Sequence, residues 1–201
     1  MKKLIMILLS IVIIGCGNDP KQQESQESQE LQKAHEHPAA VETTSAPKNL
    51  SPHTSAMAMI GDAHIHIDYS SPSVRERIIF GGLVGYNTVW QAGAHKATWI
   101  ETDKDLVIDG KTLPAGKYGF FVIPGKEQWE VMFNTRWDQH GKDDYNETEN
   151  VVNLSVKPVE LQEIQESLKY DVIKTSENSG LITMAWEKIK IEIPFEVIQK
   201  N

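Results

Sequence analysis

Glu187-Lys188-Ile189-Lys190-Ile191-Glu192-Ile193-Pro194-Phe195-Glu196-Val197 decides the fold class. Ile189, Ile191, Ile193, Phe195 and Val197 fall on one side of a pleated chain, and Lys188, Lys190, Glu192 and Glu196 fall on the other. Successive side chains of a strand point to opposite faces, so this period of two predicts a half-buried β-strand. Pro194 cannot donate to a ladder and stands on the polar side, which predicts an edge or a bulge there.

The same period recurs upstream. Ile182, Met184 and Trp186 return from the turn Ser176-Glu177-Asn178-Ser179-Gly180, which Leu168, Tyr170 and Val172 enter. Val152, Leu154 and Val156 form another alternating set, as do Trp129, Val131 and Phe133. Tyr118 to Ile123 is an apolar run between Leu113-Pro114-Ala115-Gly116 and Pro124-Gly125. Leu106-Val107-Ile108 meets Asp109-Gly110, a two-residue hairpin signal. Ile65, Ile67 and Tyr69 alternate with His64, His66 and Asp68. Only Leu161 to Ser167 and Val74 to Ile79 have a pattern that would suit a helical turn. Short strands at this spacing predict one all-β domain, an antiparallel β-sandwich or barrel-like body, long enough to bury its own core.

The first residues are of another kind. Lys2 and Lys3 precede the apolar run Leu4 to Ile14, which is too short for a bilayer but suits the apolar region of an export leader. The run ends in Ile13-Ile14-Gly15-Cys16, the pattern of a lipobox, with a small residue before the cut and a thiol to be diacylated after it. An ordinary secretory leader with Cys16 there by chance is the alternative. Cys16 is the only cysteine, so the mature body has no disulfide, cysteine nucleophile or cysteine metal ligand. Residues 1–15 are therefore read as a lipoprotein signal peptide, residues 16–55 as lipidated Cys16 plus a disordered tether, and residues 56–201 as the β domain. The tether carries the polar run Gln22 to Glu30 and Pro38, Pro47 and Pro52, with no apolar periodicity to offset ordering entropy. The expected location is the cell envelope, with the protein lipid-anchored on the periplasmic side or at the outer-membrane surface. A formal charge of −8 before the leader is removed argues against nucleic acid as a partner and against electrostatic adhesion to anionic lipid.

Three groups of residues carry a family resemblance. They are Asp68-Tyr69-Ser70-Ser71-Pro72-Ser73-Val74-Arg75-Glu76-Arg77, then Phe80-Gly81-Gly82-Leu83-Val84, then Val89-Trp90-Gln91-Ala92-Gly93-Ala94-His95-Lys96-Ala97-Thr98. Leu113 to Tyr118, Ile123-Pro124-Gly125 and Trp137-Asp138-Gln139-His140 extend them. From about Ser55 to Val197 the chain resembles the DUF2911 family of bacterial envelope proteins, common in Bacteroidetes, whose function is unknown. It departs from the family pattern at Ser71, where an Arg is usual, and at Gln91, His95 and Lys96 in the tryptophan motif. The resemblance implies a fold and a location, not a reaction.

Candidate sites are few. His64, His66 and Asp68 share one strand face, and a His-x-His pair can ligate a metal with a third ligand from His95 or His140. Polar residues on the solvent face of a half-buried strand are the plainer explanation. Met57 and Met59 alternate just upstream; thioethers with imidazoles suit copper(I), or the two methionines fill the core edge of a first strand. His35-Glu36-His37 is a weak metal motif in the tether. Trp129 and Trp186 fit core periodicity, which leaves Trp90 and Trp137 as surface aromatics for a ligand such as a glycan. Arg75 and Arg77 would grip an anion or stand as solvated loop charges. Phe80-Gly81-Gly82-Leu83 lacks the lysine and hydroxyl residue of a phosphate loop. No Ser-His-Asp, Gly-x-Ser-x-Gly or paired-carboxylate pattern is legible. The expected function is a membrane-anchored, non-enzymatic binding or scaffold module for a small molecule, glycan or envelope protein. The alternative is a zinc or copper protein, for metal handling or hydrolysis, using His64 and His66 with His95 or His140.

Overall fold

A computed structural model of the chain describes residues 50–199, so the leader, Cys16 and His35-Glu36-His37 lie outside the described residues. One sheet has six strands in the order β1-β2-β3-β6-β7-β8: His53–Ile60, Ala63–Ser70, Trp99–Thr102, Gly116–Ile123, Trp129–Asn134 and Asn150–Val156. The other has four in the order β5-β4-β10-β9: Lys111–Leu113, Leu106–Ile108, Ser179–Val197 and Val159–Lys174. Every strand pair is antiparallel, and the sheets do not close into a barrel. The body is an all-β sandwich.

Burial follows the alternation. Ile65 and Ile67 of β2, Phe120 and Val122 of β6, and Val131 and Phe133 of β7 are fully buried, and so are Ile182, Met184, Ile191 and Ile193 of β10. The core is rich in rings: Phe80 meets Trp129 edge-on at 4.7 Å, and Tyr69 meets Tyr170 at 4.7 Å. Asp109 and Gly110 have φ of 50° and 71°, the two left-handed residues of a type I′ turn between β4 and β5.

Three expectations change. The body starts earlier than the change in composition, because β1 begins at His53 inside the stretch assigned to the tether. Leu161 to Ser167 is strand, not helix: it belongs to β9, an edge strand whose outer face needs few apolar residues once β10 supplies the ladder. Val74 to Ile79 is a loop, because consecutive left-handed residues at Arg75 (φ 47°) and Glu76 (φ 58°) cannot continue a right-handed turn. Pro194 is exposed and falls between the β10 residues paired with β9, which end at Lys190, and those paired with β4, which begin at Glu196.

Candidate functional site

The connection from β2 to β3 runs from Ser71 to Thr98 and is far longer than an ordinary loop, a length that usually accompanies function. It is nonetheless held in place. Trp90 exchanges backbone hydrogen bonds with Val122 at 2.8 and 3.0 Å, and its Nε1 donates to Gly93 O at 3.0 Å. Thr98 Oγ1 and Tyr170 OH both donate to Ala92 O, at 2.9 and 2.7 Å, which holds Ala92 in a left-handed conformation at φ 52°. Burial raises the Tyr170 phenol well above its ordinary pKa, so it serves as a neutral donor. Gly93 is required where the loop meets β3, because a Cβ there would stand 2.6 Å from Thr98 Oγ1.

This connection lines a cleft of about 430 Å³, within the usual range for small-ligand pockets. Leu83 and Val89 give it apolar wall, Gln91, His95 and Lys142 give it polar groups, and Trp186 closes it against the core. Trp186 stacks on Trp90 at 5.6 Å, and both are buried. The Nε1 of Trp186 is a buried donor with no hydrogen-bond partner, the only such side-chain atom among the described residues. A buried donor of this kind costs about 1–3 kcal/mol unless something accepts from it.

A second surface lies on the outer face of the six-stranded sheet. Near β6 and β7 that face is covered: Phe121, Met132 and Ala97 form a small second core, with Tyr145 against Phe121 at 4.9 Å. Near β1 and β2 it is open. Met57 is opposite His66 and Met59 opposite His64, with both methionines exposed and both histidines half-buried. The His64 and His66 rings are 6.1 Å apart, and His66 stands perpendicular to Trp99 at 5.0 Å. Lys117 Nζ sits 3.8 Å from the Trp99 ring centre and 4.6 Å from that of Trp137, and it is 3.5 Å from Glu101 Oε2.

The residues singled out in the sequence are scattered across these surfaces. His95 and His140 are exposed neighbours, with Gly141 N donating to His95 O at 2.7 Å, and His140 Nδ1 is 3.4 Å from Asp143 Oδ2. They do not complete a set with His64 and His66: no group of three or more His, Cys, Asp or Glu among the described residues could hold a metal ion. Asp68 is taken by His53, whose Nε2 is 2.8 Å from its Oδ1. Trp90 is not a surface aromatic. It is packed between Trp186 and Phe80, because its backbone is pinned to β6 and its ring turns inward. Trp137 is half-buried beside Trp99 and Lys117. Arg75 and Arg77 hold the chain rather than an anion: Arg75 Nη2 donates to Leu50 O at 3.0 Å, and Arg77 donates to Val74 O and Ser73 O at 3.0 and 2.6 Å. Met57 and Met59 do not fill a core edge, because their places in the register put them on the outer face with the histidines. Sequence reasoning missed Trp186 and Lys142 as cleft residues. Trp186 fits core periodicity and is indeed buried, and Lys142 reaches the cleft only through the fold.

No curated protein and no solved structure matches the chain. A family model described as a protein of unknown function (DUF2911) matches residues 51–195, from just before β1 to late in β10. The matched span contains the whole connection that lines the cleft and both strands of the outer-face ladder, and on that match the chain belongs to the DUF2911 family.

Proposed function

We propose that the protein is a lipid-anchored, non-enzymatic binding module of the cell envelope. Its leader is removed before Cys16, and diacylation of that thiol supplies the two chains that stable anchoring needs. The cleft between the long β2–β3 connection and Trp186 is its binding site. The observations that support this are the cleft itself, lined by Trp186, His95 and Lys142, whose ammonium gives one of its three hydrogens to Val89 O at 2.8 Å, and the buried, unpartnered Nε1 of the same Trp186. Lysine and indole are donors only, so the complementary ligand is rich in acceptors and has an apolar body for Leu83 and Val89. Small carboxylates and oligosaccharides fit that description.

Two experiments test the two halves. Metabolic labelling with palmitate should mark the wild-type chain and leave Cys16→Ala unlabelled with its leader intact; equal labelling of both would refute the anchor. For the cleft, the indole N–H resonance of Trp186 is followed while a panel of small carboxylates and oligosaccharides is added to the leaderless protein. At least one compound should move it, and Lys142→Ala should weaken that compound by about tenfold, the worth of one charge-assisted hydrogen bond. A resonance that stays fixed across both classes removes the cleft as the site.

A further inference from the structure

We propose that the open end of the outer face is a site for one soft monovalent cation, Cu(I) or Ag(I), held by Met57, Met59, His64 and His66. The inference rests on the β1–β2 register and is independent of the anchor and of the cleft. Directly opposed residues of an antiparallel pair share a face, so the Met57–His66 and Met59–His64 pairs form the four corners of one patch. Its sides are about 5 Å across the strands and about 7 Å along them. All four side chains are long enough to meet above its centre. Two imidazoles sharing one ion at metal–nitrogen distances of about 2 Å have ring centres within about 6 Å of each other, and His64 and His66 stand at 6.1 Å already.

The surroundings select the ion. Two thioethers and two neutral imidazoles are a soft, uncharged set, which favours Cu(I) over zinc, magnesium or calcium. Magnesium or calcium would need carboxylates and zinc a third imidazole, thiolate or carboxylate; no third histidine among the described residues joins the pair, and the carboxylates nearby are engaged. Glu101 is paired with Lys117, Asp68 with His53 and Asp62 with Lys104, while Asp103 Oδ1 accepts from His64 N at 2.7 Å. Exposure points the same way. Met57 and Met59 are 59% and 55% exposed, on strand β1 at the edge of the sheet, while Met132 and Met184 are buried at 3% and 0%. Two exposed thioethers add nothing to the core. They are placed where a ligand from solvent reaches sulfur and nitrogen together.

The test uses Ag(I), an air-stable stand-in, and then Cu(I) under anaerobic conditions against a colorimetric Cu(I) chelator, on the leaderless protein with its methionine methyls labelled. One equivalent of Ag(I) should shift the methyl resonances of Met57 and Met59 and the ring resonances of His64 and His66 together, leaving those of Met132 and Met184 in place. Met57→Leu combined with Met59→Leu conserves volume at exposed positions, so the melting temperature should hold. Cu(I) affinity should nonetheless fall by at least about 100-fold, since the sulfur ligands are gone. Zn(II) should leave the methionine methyls unmoved. The proposal is overturned if Ag(I) does not move those methyls, if the double leucine variant binds Cu(I) as tightly as wild type, or if Zn(II) produces the same shifts.

Discussion

The hairpins β1–β2 and β9–β10 obey different rules. β1–β2 keeps one register over all eight residue pairs, from His53 opposite Ser70 to Ile60 opposite Ala63. β9–β10 slips twice, between Ala185 and Glu187 and between Glu187 and Ile189, and Glu187 takes a left-handed φ of 56°. In the regular hairpin every side chain has a fixed place, and a patch of four ligand-type residues builds itself from alternation alone. In the broken one the slip lies beside Trp186, the residue with the unpartnered indole nitrogen at the cleft. Regularity sets out side chains on a face, whereas irregularity leaves a polar group for something else to satisfy.

Single-residue deletions break this comparison if it is wrong. Deleting His66 from β2 should abolish folding, because a one-residue slip in a strand paired on both sides turns one half of it over. Ile67 and Tyr69 would face solvent, losing about 3–6 kcal/mol of burial, and Asp68 would face the core. That rivals the whole stability of a small domain, about 5–15 kcal/mol. Deleting Glu187 should be far milder. Ile182, Met184 and Trp186 precede the slip and Ile189, Ile191 and Ile193 follow it, with two residues between the sets. Removing one of those two leaves strict alternation, with both sets still facing inward. The Glu187 deletion should therefore fold cooperatively, with a loss of about 1–3 kcal/mol in urea unfolding. If it unfolds as completely as the His66 deletion, the slip is not a tolerated bulge and the contrast between the hairpins fails.

The same residues show how much was legible beforehand. Strand positions and inward faces were readable because inward side chains alternate along the runs, as in Trp129, Val131 and Phe133 or Ile189 to Val197, although β6 and β7 also bury Phe121 and Met132 on the other face. The Asp109-Gly110 turn was readable because only a pair tolerant of positive φ fits it. The slip at Glu187 was also present, as a change from even-numbered inward residues up to Trp186 to odd-numbered ones from Ile189. It was hidden because those two runs read equally well as separate strands. The β9 edge was not readable: Leu161 to Ser167 has the polar look of a helix face, and only its pairing makes it strand. The cleft was less readable still. Its walls join Leu83 and Gln91 of the β2–β3 connection to Lys142, far along the chain, and its floor is a tryptophan that core periodicity had already accounted for. The Met57–His66 and Met59–His64 pairs were half visible as two alternating pairs, but their opposition depends on the tight turn at Gly61 and Asp62.

That turn supplies the smallest effect and the finest test of the comparison. Asp62 Oδ2 lies 2.7 Å from Lys104 Nζ, and the lysine's hydrogen bond holds the Asp62 carboxyl below its ordinary pKa. A carboxylate with a lowered folded-state pKa contributes stability above the ordinary carboxylate range and loses it as pH falls through the lowered value. The contribution is slight because the pair is solvent-exposed. The turn between β9 and β10 is closed by uncharged groups, with Thr175 N and Ser176 N both donating to Ser179 O at 3.0 and 3.2 Å. Gln199 Nε2 reaches both turns, 3.4 Å from Asp62 Oδ1 and 3.2 Å from Asn178 Oδ1. Acid should therefore loosen the β1–β2 turn alone. Amide-exchange protection at Ala63 should fall through the titration of Asp62 while that at Ser179 stays level, and Lys104→Met should raise the Asp62 pKa towards its ordinary value, leaving the smaller lowering by the Gln199 and backbone hydrogen bonds. Equal loss of protection at both turns would mean that they open as one unit through Gln199, and that the two hairpins are less separate than their registers imply.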